Sequence, residues 1–391
     1  MCLLHHIGGA FSNKPEELKE GLGSKASALI KRAFEDIDSH RLVDHHTHIA
    51  GLGAGETGAF VNPRMLTWAH PSHRLKFKVY LSATDVKDVE RADAQLLQRL
   101  VNLVKHIADH GKYRLLAFDK HYRQDGSVNL EKTEFYVPNQ YVFDLAEQYP
   151  DLFEPNISVH PYRPDALEKL TKWAKRGARV VKWLPNAMGM NPSDPRCDNF
   201  YQKMKELNLI LLSHGGEEKA VQAFEDQELG NPLLLRRALD HGVKVIVAHC
   251  AGLGHNEDLD EHAKRSTDNF DLFMRMMNEK KYEGLLFGEI SAMTQFNRMG
   301  KPLVTILDRE DIHERLVNGS DYPLPAVNIL IRTRPLEKHG YLTTAERECL
   351  NEIYQYNPLL FDFVLKRTMK LPGTNKRLPA SVFMTNPELG I

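Results

Sequence analysis

The sequence has few cysteines and no excess of basic charge. Its 391 residues include four cysteines, and no two of them form a CxxC pair. A chain this long with so few cysteines has no disulfide framework, so we expect free thiols in a reducing, cytoplasmic compartment. The 51 lysines and arginines balance 52 acidic residues, which argues against a dedicated nucleic-acid-binding protein.

Long apolar runs are also missing. No segment approaches the roughly 18–20 apolar residues that span a bilayer. The N-terminal sequence MCLLHHIGGAF lacks the basic region of a secretory signal. With 42% hydrophobic and 26% charged residues, the composition is that of an ordinary globular protein. We therefore expect no membrane partner; whether the protein forms a homo-oligomer stays open.

Eight short runs rich in leucine or β-branched residues alternate with amphipathic helical stretches. This alternation is typical of parallel βαβ units, and eight such units close into a (β/α)8 TIM barrel. An open doubly wound sheet is the alternative, but the glycine-rich GLGAGETG does not fit the GxGxxG loop of that fold. The runs cover residues 41–51, 113–119, 153–160, 178–184, 209–214, 243–249, 283–290 and 315–321.

A plain barrel needs about 250 residues, so the surplus defines additional segments. We expect an N-terminal helical extension at 1–40, the barrel at 41–327, and a C-terminal helical segment at 328–391 that packs on it. Within the barrel, a long insertion at 51–112 follows the first strand and should form a wall or lid at the mouth. One long helix is predicted over 257–281.

Six residues that bear metal-ligand or basic side chains lie at the C-terminal ends of predicted strands. Residues two apart on a strand point the same way, so His46 and His48 share a face. Parallel strands bring all six residues to one rim. Imidazoles and a carboxylate form a site for a divalent metal, for which we expect zinc, although manganese, iron and cobalt accept the same ligands. The six residues are His46, His48, Lys182, His214, His249 and Asp321.

The motifs DHHTH, VVKW, LLSHGG, VIVAHC and NGSDYP resemble those of the amidohydrolase superfamily, in the branch that contains metal-dependent hydrolases and decarboxylases. The resemblance implies a distorted (β/α)8 barrel. By position, His46, His48 and Asp321 would hold a buried metal. His214 and His249 would hold a second ion or complete a one-metal site. Lys182 would be an N6-carboxylysine that bridges two ions; the alternative is an unmodified lysine that pairs with a substrate anion or an acidic neighbour.

The resemblance also implies the reaction. A metal-activated water would attack an ester, lactone, amide or phosphoester of a small molecule, with Asp321 as the proton acceptor and His249 as the next group able to take the proton. The alternative is a metal-dependent non-oxidative decarboxylation of a small carboxylic acid, in which one metal serves without a carboxylated lysine. Two ions per chain would favour hydrolysis.

Other polar residues near the same rim are weaker candidates. Four of them are expected to contact substrate, while Glu289 is expected to point inward from the seventh strand without a direct role. The four are His121, His160, His255 and Arg298.

Overall fold

Eight parallel strands form the centre of the fold, which confirms the predicted α/β barrel architecture. The structure is a computed structural model that describes residues 13–67, 71–221, 223 and 225–391. Each strand lies within or beside its predicted run. In chain order the strands are β1 (Val43–His48), β2 (Lys112–Leu116), β3 (Phe153–Asn156), β4 (Val180–Trp183), β5 (Ile210–His214), β6 (Val245–Ala248), β7 (Leu286–Glu289) and β8 (Leu316–Val317).

The strands are arranged in two sheets that join at both edges. One sheet has the order β1–β2–β3 and the other β8–β7–β6–β5–β4. Single parallel bridges connect Ile157 to Val181 and Thr47 to Tyr322, and the His48 backbone N–H donates to the Tyr322 carbonyl at 3.0 Å. The strands therefore follow one another around a ring in sequence order, as in a (β/α)8 barrel.

Helices surround this ring and extend it at both chain ends. Two further pairs of short antiparallel strands, Phe60–Val61 with Phe135–Tyr136 and His255–Glu257 with Ser266–Asp268, lie outside it. The helices are α1 (Leu18–Gly21), α2 (Ser24–Ala33), α3 (Pro71–Ala83), α4 (Ala92–Lys105), α5 (Asn139–Gln148), α6 (Ala166–Lys175), α7 (Pro185–Met188), α8 (Asp198–Glu206), α9 (Arg236–Asp240), α10 (Asn269–Met277), α11 (Lys301–Asp308), α12 (Thr333–Lys338), α13 (Thr344–Tyr354) and α14 (Pro358–Thr368).

Alternate strand residues fill the barrel interior, while the residues between them pack against the helices. Burial of each large aliphatic side chain contributes about 1.5–3 kcal/mol. Leu389, close to the C-terminus, packs with the interior residues. The interior cluster consists of Leu116, Val180, Ile210, Leu212, Ile246, Ala248, Phe287, Val317 and Leu389.

The two ends of the chain pack against each other. Helix α2 contacts both α13 and α14. The Gly23 backbone N–H donates to Glu352 Oε1 at 2.6 Å, and Arg32 forms an ion pair of 2.7 Å with Glu346. The described part of the N-terminal region therefore lies on the C-terminal helices.

The prediction of one helix over 257–281 is wrong. The chain forms the antiparallel strand pair first, and α10 begins at Asn269. The intervening residues 258–265 offer no apolar stripe to bury, because the sequence there is DLDEHAKR. Instead Asp258 accepts a hydrogen bond of 2.7 Å from Arg275 on α10, which fixes the hairpin against that helix.

The described residues hold neither a disulfide nor a helix able to cross a membrane. Cys197, Cys250 and Cys349 are buried free thiols, while Cys2 lies outside the described residues. No helix in the described part of the chain combines the length and the apolar character that a membrane span requires.

Candidate metal centre

Strand alternation places two of the predicted residues at the mouth of the barrel. Ile210 and Leu212 point into the interior, so His214, two residues further along β5, points the same way. Val180 and Lys182 are related in the same manner on β4. Both His214 and Lys182 are buried, so their polar ends face other groups of the site rather than bulk water.

His249 and Asp321 reach the site through a change of backbone conformation. Ala248 lies inside the barrel, and continued strand geometry would direct His249 outward. However, His249 has a φ of 56°, as does Asp321. These left-handed conformations are unfavourable for residues other than glycine and are concentrated at functional sites. At these residues the backbone leaves the direction of the strand, so both side chains can point toward the other residues of the site.

Three side chains converge on the Nε2 atom of His46. It lies 3.2 Å from His48 Nε2, 3.2 Å from Lys182 Nζ and 3.4 Å from Asp321 Oδ1. His48 Nε2 is 3.1 Å from the same Asp321 oxygen. On the other side of the carboxylate, His249 Nε2 lies 3.7 Å from Asp321 Oδ2. Ligand atoms of β1 and of the segments that follow β6 and β8 thus surround one small volume.

The opposite nitrogens of two imidazoles are held by Glu289 and Ser291. His46 Nδ1 lies 3.0 Å from Glu289 Oε2, and His249 Nδ1 lies 2.7 Å from Ser291 Oγ. Glu289 also accepts the backbone N–H groups of His249 and Ser291. Both carboxyl oxygens are therefore acceptors, so His46 donates from Nδ1 and keeps the lone pair of Nε2.

His214 has the same arrangement with a different partner. Its Nδ1 atom lies 3.5 Å from Glu218 Oε2. Its Nε2 atom is buried and has no hydrogen-bond partner among the described residues. A buried polar nitrogen without a partner is costly, so this lone pair is suited to a bound ligand.

Two groups of three side chains bring ligand atoms within 4.8 Å of one another: His46 with His48 and Asp321, and His46 with His249 and Glu289. The two groups use different nitrogens of His46. Since Nδ1 of this ring is hydrogen-bonded to Glu289, the lone pair of Nε2 belongs to the first group. Two imidazoles and a carboxylate are a donor set that zinc, manganese and similar divalent ions accept, so the residues fit such an ion.

Burial keeps the imidazoles neutral and able to act as ligands. It lowers the pKa values of His46 and His249 well below the ordinary histidine value. The positive charge of Lys182 lowers the pKa values of both rings further. A neutral imidazole has the lone pair that a metal requires, whereas an imidazolium has none.

The acidic and basic groups of the site are perturbed as well. Burial raises the pKa of Asp321, but His249, His48 and Lys182 outweigh this effect and leave the value lowered. Burial also lowers the pKa of Lys182 to about 8 against the opposing effect of Asp321. Burial raises the pKa of Glu289 to about 7, although hydrogen bonds from Ser291 act against it.

A cavity of about 150 Å³ lies directly above these ligands. The five imidazole and carboxylate residues His46, His48, His214, His249 and Asp321 line it together with Lys182. Residues of the segment 51–112 line it too. They are Leu52, Val61, Met65, Phe77, Tyr80, Leu81, Thr84 and Leu96.

The structure places two of the four predicted substrate-binding residues away from this cavity because of their local contacts. His255 lies on the short strand beyond β6, where its side chain is 59% exposed and pairs with Asp268 at 3.1 Å. His160 is buried beyond β3, and its Nε2 atom lies 3.0 Å from the Met188 carbonyl. Neither residue is brought to the metal ligands.

The other two are not on the cavity wall either. His121 lines a separate polar cavity of about 290 Å³. Arg298 is buried and donates to Gln295 Oε1 at 2.7 Å. Its positive charge is close enough to contribute to the lowered pKa values of His214 and His249.

Three residues that contact the imidazoles are absent from the predicted ligand set. Glu289 carries a sequence signal, because Phe287 lies in the interior and Glu289 shares its side of β7. Ser291 and Glu218 follow strand ends in loops and carry no periodic signal. Their contacts depend on loop conformation rather than on strand alternation.

The fold and the side-chain arrangement define a barrel protein with a group of residues at the C-terminal strand ends that could hold a divalent metal. A family model described as Amidohydrolase matches residues 43–358. The chain therefore belongs to the amidohydrolase family, and the resemblance of its motifs is confirmed. A comparison with curated proteins finds no match.

Solved structures with similar folds include three proteins of low sequence identity. An uncharacterised TIM-barrel protein from Bordetella bronchiseptica has 16% identity and a TM-score of 0.48, over 80% of this chain and 99% of that chain. A manganese-bound 5-carboxyvanillate decarboxylase from Novosphingobium aromaticivorans has 12% identity and a TM-score of 0.47, over 90% and 97%. A 4-oxalomesaconate hydratase from Rhodopseudomonas palustris has 15% identity and a TM-score of 0.41, over 80% and 95%.

Proposed function

We propose that this chain is a metal-dependent hydrolase that cleaves an ester, lactone, amide or phosphoester bond of a small molecule. The observation that carries the proposal is the convergence of His46 Nε2, His48 Nε2 and Asp321 Oδ1 within 3.1–3.4 Å of one another. Three ligand atoms at that spacing, at the floor of a cavity where His46 and Asp321 are buried, are placed to bind one cation.

His46, His48 and Asp321 would hold the buried ion. His214 and His249 would hold a second ion or complete the first site, since the free Nε2 of His214 faces the same cavity. We expect zinc, with manganese as the next choice, because both accept imidazole and carboxylate ligands.

Lys182 is proposed to be carboxylated on its amine. Its Nζ atom lies 3.2 Å from His46 Nε2, the atom that would bind the cation. An ammonium group at this place would repel the ion strongly, whereas a carbamate would attract it and could bridge two ions. The lowered pKa of Lys182 also favours the neutral amine from which a carbamate forms.

The reaction then assigns roles to the remaining groups. When bound, the metal lowers the pKa of a water molecule and polarises the bond to be cleaved. Asp321, which stays ionised because its pKa is lowered, would take the proton of that water and pass it to the leaving group. His249 Nε2 lies 3.7 Å from Asp321 and is the next group able to take this proton.

Metal removal and reloading test the proposal. The stripped protein is reloaded with Zn²⁺ or Mn²⁺, the bound ions are counted, and neutral esters, lactones, amides and phosphoesters are screened. We expect hydrolysis that requires metal and is lost in the His46→Ala plus His48→Ala variant, with an unchanged circular dichroism spectrum. Hydrolysis that persists without metal would contradict the proposal. One ion per chain with release of carbon dioxide from carboxylic acids would indicate decarboxylation instead.

The modification of Lys182 is tested separately by ¹³C NMR of the metal-loaded protein equilibrated with ¹³C-bicarbonate. We expect a carbamate resonance in the wild type and none in Lys182→Ala. Lys105→Ala, a substitution on helix α4 away from the ligands, is the matched control and should keep the resonance. No resonance in the wild type would show that Lys182 acts as an unmodified amine.

A further inference from the structure

The cavity above the metal ligands has a polar floor and an apolar wall. The floor consists of the ligand side chains, whereas the wall is contributed by β-strand ends, the segment 51–112 and the loops after β2 and β5. Apolar walls of this kind contact the part of a ligand that does not react. The apolar lining residues include Leu52, Val61, Met65, Phe77, Leu96, Phe118, Phe135, Val137, Leu184 and Val221.

The polar atoms of Tyr80 and Thr84, which line the cavity wall, are already engaged in hydrogen bonds. Tyr80 on α3 donates its hydroxyl to the Ala220 carbonyl at 3.2 Å. Thr84 Oγ1 donates to the Tyr80 carbonyl at 2.8 Å. These bonds turn the polar atoms toward the protein backbone, so this part of the cavity wall presents mainly carbon atoms to a ligand.

The charges that line the cavity leave little room for an additional ionic group. Apart from the histidines, the described lining residues carry the carboxylates of Glu218 and Asp321 and the amine of Lys182, all three next to the floor. No arginine is among these lining residues. A substrate carboxylate placed against the wall would therefore be buried without a partner, which is strongly unfavourable.

The volume of the cavity limits the size of the substrate group that it can accept. Its volume of about 150 Å³ is that of an apolar cavity known to accept benzene. Larger substituents would have to leave through the mouth or displace side chains of α3 and α4, whose Phe77 and Leu96 are buried at the wall.

We propose that the substrate is uncharged outside its scissile group and places an apolar group, about as large as a benzene ring, beside the bond that is cleaved. The inference rests on the proposed hydrolase function. The expected substrates are small aryl or short branched alkyl esters, lactones or amides. Substrates that carry a carboxylate in addition to the scissile group are disfavoured.

Binding of hydroxamic acids tests this inference without requiring turnover, because the hydroxamate group chelates divalent metals. The Zn²⁺-loaded protein is titrated calorimetrically with acetohydroxamic, benzohydroxamic and 4-carboxybenzohydroxamic acid. We expect benzohydroxamic acid to bind at least about tenfold more tightly than acetohydroxamic acid, given the contribution of a phenyl group in an apolar pocket. The 4-carboxy derivative should bind at least about tenfold more weakly than benzohydroxamic acid.

Two variants on the same helix provide the matched comparison. Phe77→Ala enlarges the cavity and should reduce the preference for benzohydroxamic acid by at least about threefold. Leu75→Ala changes a side chain that is 53% exposed and should leave the preference unchanged. If Phe77→Ala does not fold, Val137→Ala removes wall contacts from a different segment and should reduce the preference in the same direction.

The outcomes separate the inference from the proposed function. Equal binding of the acetyl and benzoyl compounds, or tighter binding of the 4-carboxy compound, would overturn the substrate class while leaving the metal site in place. If none of the three binds to protein that contains zinc, the accessible metal site fails and the proposed function fails with it. The predicted order, lost in Phe77→Ala and kept in Leu75→Ala, supports the inference.

Discussion

Glu289 Oε2 lies 3.0 Å from His46 Nδ1 in the interior of the barrel. Both side chains are almost completely buried, and the carboxylate also accepts the backbone N–H of His249. This contact fixes the orientation of the His46 ring and directs its Nε2 atom toward His48 and Asp321. Hydrogen-bonded partners of this kind set both the tautomer and the basicity of metal-bound histidines.

Glu289→Gln should therefore weaken metal binding. The amide keeps the shape of the side chain but has half the acceptor capacity. The His46 ring would therefore be held less firmly in its orientation and would be less basic. We expect about a 10–100-fold loss of Zn²⁺ affinity, measured by calorimetric titration of metal-stripped protein. Glu310→Gln, an exposed substitution after α11, is the control. If Glu289→Gln binds Zn²⁺ as tightly as the wild type, the contact with His46 does not tune the ligand.

Gly319 lies against the same pair of residues. A Cβ atom added there would be 2.5 Å from Glu289 Oε1 and 2.6 Å from the Cβ atom of His46. Gly319→Ala should thus lower the free energy of unfolding by about 1–3 kcal/mol, as overpacking does, and also reduce Zn²⁺ affinity. Chemical denaturation and calorimetry measure the two effects.

Gly300 provides a control for that substitution, since a Cβ atom there would meet nothing within 4 Å. Gly300→Ala should leave Zn²⁺ affinity unchanged, and it should lower the free energy of unfolding by about 1 kcal/mol at most, because Gly300 is the N-cap of α11. A Gly319→Ala protein with wild-type stability and metal affinity would mean that the loop after β8 adjusts freely and does not hold the two side chains in place.

Asp321→Asn tests the proton acceptor. Asparagine has nearly the same shape but cannot take a proton at neutral pH, so kcat should fall by roughly 10²–10⁴-fold. The lowered pKa of Asp321 keeps the wild-type residue ionised at neutral pH, so the acidic limb that its protonation causes should lie below the ordinary aspartate range. That acidic limb should vanish in the variant. The comparison is made at saturating metal, and an unchanged kcat there would leave Asp321 as a ligand alone.

The sequence predicts the barrel and the strand-end residues well because both depend on local periodicity. Eight short runs appear at the predicted places, and strand alternation alone puts His214 and Lys182 on the inner face. The helix predicted over 257–281 fails because helix-forming residues without an apolar stripe do not pack, and the polar stretch turns back as a hairpin instead.

The parts of the site that escape prediction depend on loop conformation. His249 is among the predicted ligands, but alternation alone would direct it outward from β6, and its left-handed backbone reverses that direction. Glu218 and Ser291 reach the imidazoles from loops whose course no periodic signal describes. For the same reason His255, which directly follows the β6 loop in sequence, projects into solvent rather than toward the metal ligands.

Anomalous diffraction from crystals of the Zn²⁺-loaded protein tests the central claim most directly, because it locates the ion independently of any reaction. We expect a strong peak at coordination distance from His46 Nε2, His48 Nε2 and an Asp321 carboxylate oxygen, with His46 Nδ1 still bonded to Glu289. A peak on the Nδ1 side of His46, between Glu289 and His249, would contradict it, as would the absence of any peak at the barrel mouth.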